Sequence, residues 1–109
     1  MFFTYMVTNQ YLGTLYTGHT DDLSRRIDEH RNGALPGFSK KYGCTHLVWF
    51  ELHETRASAF RRERQIKRWN RAWKIRLIKK LNPKWDDLYP KLSEAFVYDE
   101  QRIFNPARL

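Results

Sequence analysis

The first thirty residues constrain the fold most strongly, because two strand-like runs and a helical pattern follow one another without interruption. Residues 2–7 and 14–18 are rich in aromatic and β-branched side chains, and Gly13 lies in the loop between them. Such runs separated by a short loop are typical of a β-hairpin. We expect Tyr5 and Tyr16 to lie directly across the two strands or about one residue out of step, so that their hydroxyls reach a common point.

A short helix is predicted to follow the hairpin. Thr20 or Asp21 can cap its N-terminus, and Gly33 can end it in the left-handed conformation. Arg26 and His30 are four residues apart, so they share one face of this helix. The helix therefore holds an arginine and a histidine beside the hairpin.

The remaining elements complete a small α+β domain. Residues 45–53 form a strand-like run with an unbroken apolar middle, which predicts a central strand covered on both faces. Thr55 can cap a helix that reaches about Trp69, and a further helix over residues 70–81 places Trp73 on its apolar face. We therefore predict an α+β fold. A small three-stranded, mostly antiparallel sheet, made of the N-terminal hairpin and the central strand, is flanked by about three helices.

Length, cysteine count and hydropathy exclude several classes of protein. A chain of 109 residues corresponds to one domain. Its single cysteine, Cys44, can form neither an intrachain disulfide nor a cysteine-based zinc site. The longest apolar run, residues 47–50, is far shorter than a membrane span, and the N-terminus lacks a signal-peptide pattern. We therefore expect a cytoplasmic protein with no membrane partner.

Positive charge is concentrated in one segment. Residues 61–80 hold ten Lys or Arg and one acid, a net charge of +9, whereas the other 89 residues hold ten bases and eleven acids, a net charge of −1. Such a segment favours a polyanionic partner, because neutralising phosphates releases counterions. A solvated helix face is the alternative. Trp69 and Trp73 add little to the first interpretation, because their spacing also fits a buried helix face.

The single acid of this segment breaks the pattern of its helix. Phe60, Glu63 and Ile66 are each three residues apart, so the carboxylate lies in a stripe that should be apolar. A buried carboxylate must be paired, protonated or bound to a cation. A salt bridge to an arginine and a bound metal ion both satisfy this requirement.

These features occur in an order that resembles the GIY-YIG nucleases. Tyr5 stands at the tyrosine of the first motif, residues 16–18 (Tyr-Thr-Gly) match the second, and Arg26 with His30 matches the Arg-x-x-x-His of the next helix. The first motif departs from the pattern, since Phe-Thr replaces Gly-Ile. The likeness continues through residues 37–42, 62–67 and 82–89. It is greatest to small single-domain bacterial members, akin to the nuclease domains of UvrC and of intron-encoded endonucleases.

The resemblance implies a domain boundary, an activity and a cofactor. It assigns residues 1–90 to the nuclease domain and leaves residues 91–109 as a C-terminal extension. The implied activity is divalent-metal-dependent hydrolysis of phosphodiester bonds in DNA, with structured DNA or repair intermediates as candidate substrates. Glu63 is the residue expected to bind a single Mg²⁺ or Mn²⁺.

The resemblance also implies roles for five further residues. Arg26 would bind the phosphate through its guanidinium fork. Tyr16 would act as the general base and Tyr5 would orient water or phosphate. His30 would position the leaving group or the base. Asn82 matches an active-site asparagine of the family, although an asparagine at a helix end is also common.

Exposed cations are the candidates for contact with nucleic acid. Two lie in the loop at residues 34–43 and four lie in the basic segment. They are Lys40, Lys41, Arg62, Lys67, Arg71 and Lys74. For the two loop lysines an ordinary surface position is an equally good interpretation.

Two other classes of function fit parts of the sequence. A nucleic-acid-binding module that has kept this fold and lost cleavage needs the basic segment alone. A protein-interaction scaffold would use the apolar residues of the extension at 91–109, which could pack on the domain or mediate homo-oligomerisation. The sequence leaves open whether RNA is also a target.

Overall fold

A computed structural model of the protein describes residues 1–92. Its elements, in chain order, are β1 (Phe2–Thr8), β2 (Leu15–Thr20), α1 (Leu23–Arg31), α2 (Phe38–Lys41), β3 (His46–His53), α3 (Arg56–Arg68), α4 (Arg71–Leu81) and a 3₁₀ helix (Tyr89–Lys91). The predicted α+β class is confirmed, with the short α2 as an additional helix. No helix within the described part of the chain is long and apolar enough to cross a membrane. The predicted role of the C-terminal extension falls, from residue 93 onward, outside the described residues.

The sheet is antiparallel throughout and has the order β2-β1-β3. The central strand is therefore β1, and the prediction that residues 45–53 form the central strand is wrong. The apolar run of β3 has another cause. Helices cover the faces of the sheet, so an edge strand can be apolar on both sides.

The sheet separates two hydrophobic clusters. On one face Tyr5 of β1 packs with Ile27 of α1 and with Leu88, near the end of the described chain. On the other face Met6 of β1 packs with residues of α3 and α4, including Ile66. Neighbouring residues of β1 thus point into opposite clusters, as the alternation of a strand requires. Helix α1 and helix α3 consequently lie on opposite faces of the sheet.

The hairpin register differs from the prediction. Tyr5 pairs with Gly18, and Val7 pairs with Tyr16, so the two tyrosines are two residues out of step rather than none or one. Because side chains alternate with a period of two, this offset keeps both rings on the same face. Their centroids are 6.5 Å apart. The tyrosines therefore meet diagonally, on the face that α1 covers.

Asp22 caps helix α1, in place of the predicted Thr20 or Asp21. Its Oδ1 accepts a hydrogen bond of 3.1 Å from the backbone N–H of Arg25. The hydroxyl of Thr20 instead accepts a hydrogen bond from the backbone N–H of Asp22. Gly33 ends the helix with φ +67°, as predicted. These contacts fix the start and end of the helix that carries the arginine and histidine.

Two aromatic residues predicted to lie on buried faces are exposed. Phe60 of α3 is 43 % exposed and Trp73 of α4 is 49 % exposed. Of the predicted stripe on α3, Glu63 and Ile66 are buried, together with Ala59, and α4 buries Ile78. The prediction is wrong for Phe60 and Trp73, because each helix is turned so that these side chains lie at the margin of its buried face.

Candidate active site

A buried tyrosine and a buried histidine form the base of the site. The hydroxyl of Tyr5 lies 2.8 Å from Nε2 of His30, and both side chains are almost fully buried. Tyr16 packs against the pair, with its ring centroid 5.3 Å from that of His30. Burial, followed by the neighbouring Tyr16, raises the pKa of Tyr5 far above its usual range. Tyr5 therefore stays protonated at neutral pH.

The hydrogen bonds around His30 determine which nitrogen carries its proton. Nδ1 lies 2.5 Å from the hydroxyl of Ser39, and that hydroxyl donates its single proton to the carbonyl of Cys44 at 3.3 Å. With the Ser39 proton on the Cys44 carbonyl, we assign the His30 proton to Nδ1, which donates to Ser39, while Nε2 accepts from the hydroxyl of Tyr5. Burial and the nearby Arg26 lower the pKa of His30 to about 4, so the ring is neutral at pH 7.

Ser39 is a site residue that the sequence analysis missed. It lies on α2, inside a stretch that the sequence predicts as a loop. A serine in such a stretch carries no sequence signal for contact with a histidine nine residues earlier. Only the placement of α2 against α1 brings the two side chains together.

We predict that Ser39→Ala shifts the protonation of the His30 ring from Nδ1 towards Nε2. Without the serine oxygen, the Nδ1 proton has no acceptor, whereas a proton on Nε2 can be donated to Tyr5. The ¹⁵N NMR shifts of the two ring nitrogens report this change. The matched control is Ser58→Ala, which removes a serine placed 2.5 Å from Nδ1 of His53 and should leave the His30 signals in place. Unchanged His30 signals in Ser39→Ala would contradict the assignment.

Glu63 turns inward, as its position in the apolar stripe predicts. The side chain is buried, with Oε1 2.8 Å from Nδ1 of His19 and Oε2 3.0 Å from Nζ of Lys67. Of the two interpretations, pairing occurs, but with a histidine and a lysine instead of an arginine. His19 of β2 has little sequence signal beyond its place directly after the second motif. Its ring also packs on Phe60, with centroids 5.4 Å apart.

The catalytic candidates meet around the outer edge of β2. Tyr16 lies on the α1 face of this strand, and His19 and Glu63 lie on the α3 face. Lys67 connects the two sides, because its Nζ contacts the Glu63 carboxylate and lies 5.7 Å from the centroid of the Tyr16 ring. The carboxylate and the tyrosines are thus parts of one site.

Arg26 lies beside this group with part of its hydrogen-bonding capacity unused. Its Nε forms an ion pair of 3.5 Å with Oε1 of Glu29, but this buried N–H has no hydrogen-bond partner among the described residues. The positive charge of Arg26 acts on the Tyr5–His30 pair. It lowers the pKa of His30 and opposes the rise in the pKa of Tyr5. About one third of the side chain is exposed. The guanidinium is therefore placed to accept an anion from solvent.

The residues around Glu63 fit a metal ion that keeps most of its water. Within residues 1–92 no group of three or more His, Cys, Asp or Glu side chains could hold a metal ion by itself. One carboxylate is nevertheless enough for Mg²⁺, which commonly retains waters and shares substrate phosphates. The ammonium of Lys67 already occupies a cation position on Oε2. A divalent ion at Glu63 would compete with this ammonium.

Asn82 is not brought into the cluster. Its Nδ2 donates to the carbonyls of Val48 and Asp86 at 3.1 and 2.8 Å, and its Oδ1 accepts from the backbone N–H of Asp86 at 3.0 Å. The amide thus joins the end of α4 to β3. A catalytic role for Asn82 stays a prediction, and the observed contacts account for its burial without one.

Two of the predicted phosphate-binding arginines have partners within the domain. Arg62 forms a salt bridge with Glu51, with Nε 3.1 Å from Oε1, and lies over the ring of Trp69. Arg71 donates from Nη2 to the backbone carbonyl of Gly13 at 2.7 Å, which holds the hairpin loop against α4. When a phosphate binds, each arginine would either keep its contact within the domain or replace it with the phosphate.

The four predicted lysines differ in their surroundings. Lys67 lies in the site itself, and Lys74 lies close enough to Lys67 and Arg71 for burial and their charges to lower its pKa. Lys40 and Lys41 are exposed on α2. Contact of these lysines with phosphate stays a prediction.

Comparisons with known proteins identify relatives of the chain. A family model described as the GIY-YIG catalytic domain matches residues 1–76. UPF0213 proteins of Staphylococcus aureus strains Mu50 and N315 are each 40 % identical over 67 residues, which cover 62 % of this chain and 82 % of each relative. The solution NMR structure of a UPF0213 protein from Bacillus halodurans is similar with a TM-score of 0.50 and 28 % identity, covering 85 % of this chain and 98 % of that chain.

Proposed function

The chain belongs to the GIY-YIG family, and on this premise we propose that it is an endonuclease that hydrolyses phosphodiester bonds in DNA with one divalent metal ion. The observation that carries the proposal is the group of side chains that meet at the outer edge of β2. There Lys67 links the buried carboxylate of Glu63 to Tyr16, next to Arg26 and the Tyr5–His30 pair. An acid, a cation and two phenols around one strand edge supply the groups that phosphodiester hydrolysis requires.

Glu63 is the proposed ligand of Mg²⁺ or Mn²⁺, with His19 holding its other oxygen in place. When bound, the ion supplies Lewis-acid chemistry and makes water more acidic. Glu63 would position this ion at the edge of β2, where substrate can approach. Lys67, released from the carboxylate, can then neutralise a phosphate oxygen.

Arg26 is the proposed phosphate-binding residue. Its guanidinium is partly exposed and lies beside the Tyr5–His30 pair, and its Nε lacks a hydrogen-bond acceptor within the described residues. A planar guanidinium can bind two oxygens of a phosphate at once and remains charged at any relevant pH. It would therefore stabilise negative charge that develops in the transition state.

The two tyrosines have different proposed roles because their environments differ. Tyr5 is buried, has a raised pKa and donates its proton to His30, so it is a poor base. Because Tyr5 is almost fully buried, the orientation of water or phosphate by its oxygen stays a prediction. Tyr16 is only partly buried and lies beside the Lys67 ammonium, so its hydroxyl can reach substrate. We assign the general base to Tyr16, and to His30 the positioning of Tyr5.

Metal-dependent cleavage tests the proposal directly. The purified chain is incubated with plasmid, branched and single-stranded DNA and with RNA, in Mg²⁺, in Mn²⁺ and in EDTA. We expect cleavage of at least one DNA substrate in the presence of metal and none in EDTA. Binding of nucleic acid without cleavage of any substrate would overturn the enzyme and support a binding module. Absence of both binding and cleavage would support a protein-interaction scaffold.

A further inference from the structure

We propose that a groove between α3 and α4 binds a stretch of unpaired nucleic-acid bases. The groove, called here the Phe60–Trp73 groove, has a volume of about 620 Å³ and is lined by three arginines, three aromatic residues and a glutamine: Arg61, Arg64, Arg68, Phe60, Trp69, Trp73 and Gln65. It continues along α4 past Arg76 and Lys80. It lies apart from the cations assigned above to phosphate contact near the site. This inference takes its nucleic-acid partner from the proposed function, but it does not depend on cleavage.

The aromatic residues of the groove form a stacking platform. Trp73 and Phe60 are each nearly half exposed, although both are large apolar side chains. Trp69 supports Trp73 from the side, with the two rings close to perpendicular and 6.0 Å apart. Exposed aromatic rings in a basic groove are the arrangement on which successive bases of a single strand stack. A duplex cannot use these rings, because its bases are already stacked on one another.

The positive charge of the groove favours a polyanionic ligand. Its lining contains no acid, and five cations surround the aromatic rings: Arg61, Arg64, Arg68, Arg76 and Lys80. Across residues 1–92 none of these five takes part in a salt bridge, in contrast to Arg62, which pairs with Glu51 of β3, and to Lys67, which pairs with Glu63. Arg64 lies over the ring of Phe60, with its Cζ 5.7 Å from the ring centroid, and cations without a salt bridge beside aromatic rings suit phosphates and bases together. A second copy of this basic chain would meet charge of the same sign.

The groove leads into the candidate active site. Phe60 contacts the ring of His19, and His19 is hydrogen-bonded to Glu63. Glu63 directly precedes Arg64 on α3, so a nucleic-acid strand in the groove would run beside the helical turn that carries the carboxylate. Bases stacked in the groove would therefore hold the adjoining phosphates near the edge of β2.

Binding measured in EDTA tests this inference independently of cleavage. The probes are a labelled oligothymidylate of about 12 nucleotides, an abasic strand with the same number of phosphates, and a blunt duplex of that length. We expect the oligothymidylate to bind at least about tenfold more tightly than the abasic strand at one salt concentration. Trp73→Ala and Phe60→Ala should each weaken oligothymidylate binding by about five- to hundredfold and leave abasic-strand binding unchanged.

Tyr11→Ala is the matched control, because Tyr11 is an aromatic residue on the hairpin loop, outside the groove, and is even more exposed than Phe60 and Trp73. It should not change binding of any probe, and circular dichroism should show all variants folded. Equal affinity of the wild type for the abasic strand and the oligothymidylate would overturn the inference, as would unchanged binding in both groove variants. A chain that binds the oligothymidylate as expected but cleaves nothing would refute the proposed nuclease and leave the groove established.

Discussion

Glu63→Gln is expected to lower cleavage by roughly a thousandfold while preserving the fold. The amide has the size of the carboxylate and can still hydrogen-bond to His19, but it lacks the charge that holds a divalent ion. Loss of a metal contribution of several kcal/mol to the transition state corresponds to such a factor. The measurements are single-turnover cleavage of the best substrate and Mn²⁺ binding by electron paramagnetic resonance. Cleavage and Mn²⁺ binding should be lost together.

The chain provides a matched control for this substitution. Glu51 is also a largely buried carboxylate, with Oε1 2.8 Å from Nε2 of His53 and 3.1 Å from Nε of Arg62, but it lies on β3, at the other edge of the sheet. Glu51→Gln should cost stability and keep cleavage within a few-fold of the wild type. Cleavage at the wild-type rate in Glu63→Gln, or an equal loss in both variants, would refute the role given to Glu63.

Gly18→Ala should destabilise the protein by about 3 kcal/mol and abolish cleavage. A Cβ at position 18 would lie 2.5 Å from the hydroxyl oxygen of Tyr5 and 2.7 Å from its Cζ. Tyr5 is fully buried and bonded to His30, so it cannot withdraw without losing that hydrogen bond. The close approach explains why the second motif ends in glycine. Chemical denaturation measures the loss of stability.

A double variant tests the cause of this effect. Tyr5→Phe removes the atom nearest to the added methyl group, so Gly18→Ala should be less damaging in the Tyr5→Phe background than in the wild type. If the two substitutions are additive, steric contact with the hydroxyl is not the cause. Wild-type stability of Gly18→Ala would contradict the geometry at this position.

The hairpin and α1 could be predicted because their sequence signals are local. The register in which β1 pairs with β2 could not. The turn contains contacts that composition does not specify: Asn9 accepts a hydrogen bond from the backbone N–H of Thr14, and Leu12 adopts φ +54°. These contacts fix the number of residues in the loop, and therefore which residue of β2 pairs with Tyr5. The order of the strands likewise depends on β3 pairing with β1 over a long sequence separation.

For Glu63 the sequence predicts the inward direction of the side chain but not its partners. The apolar stripe of α3 was sufficient to place Glu63 inward, since that inference needs only helical spacing. Its pairing with His19 and Lys67 depends on β2 lying against α3, which no local pattern encodes. The exposure of Trp73 has the same origin, because spacing defines a face of a helix but not the direction in which that face is turned.

The position of the site at the outer margin of β2 has a consequence for inhibition. In the described chain β2 has a neighbouring strand on one side only, so its other side is an edge along which a further strand can pair. A peptide that paired with this margin would extend the sheet and cover the place where Tyr16 and Lys67 meet. Strand addition would thus exclude the hydrolysis proposed above, and an extended peptide mimic is a rational starting point for testing whether this margin must stay open.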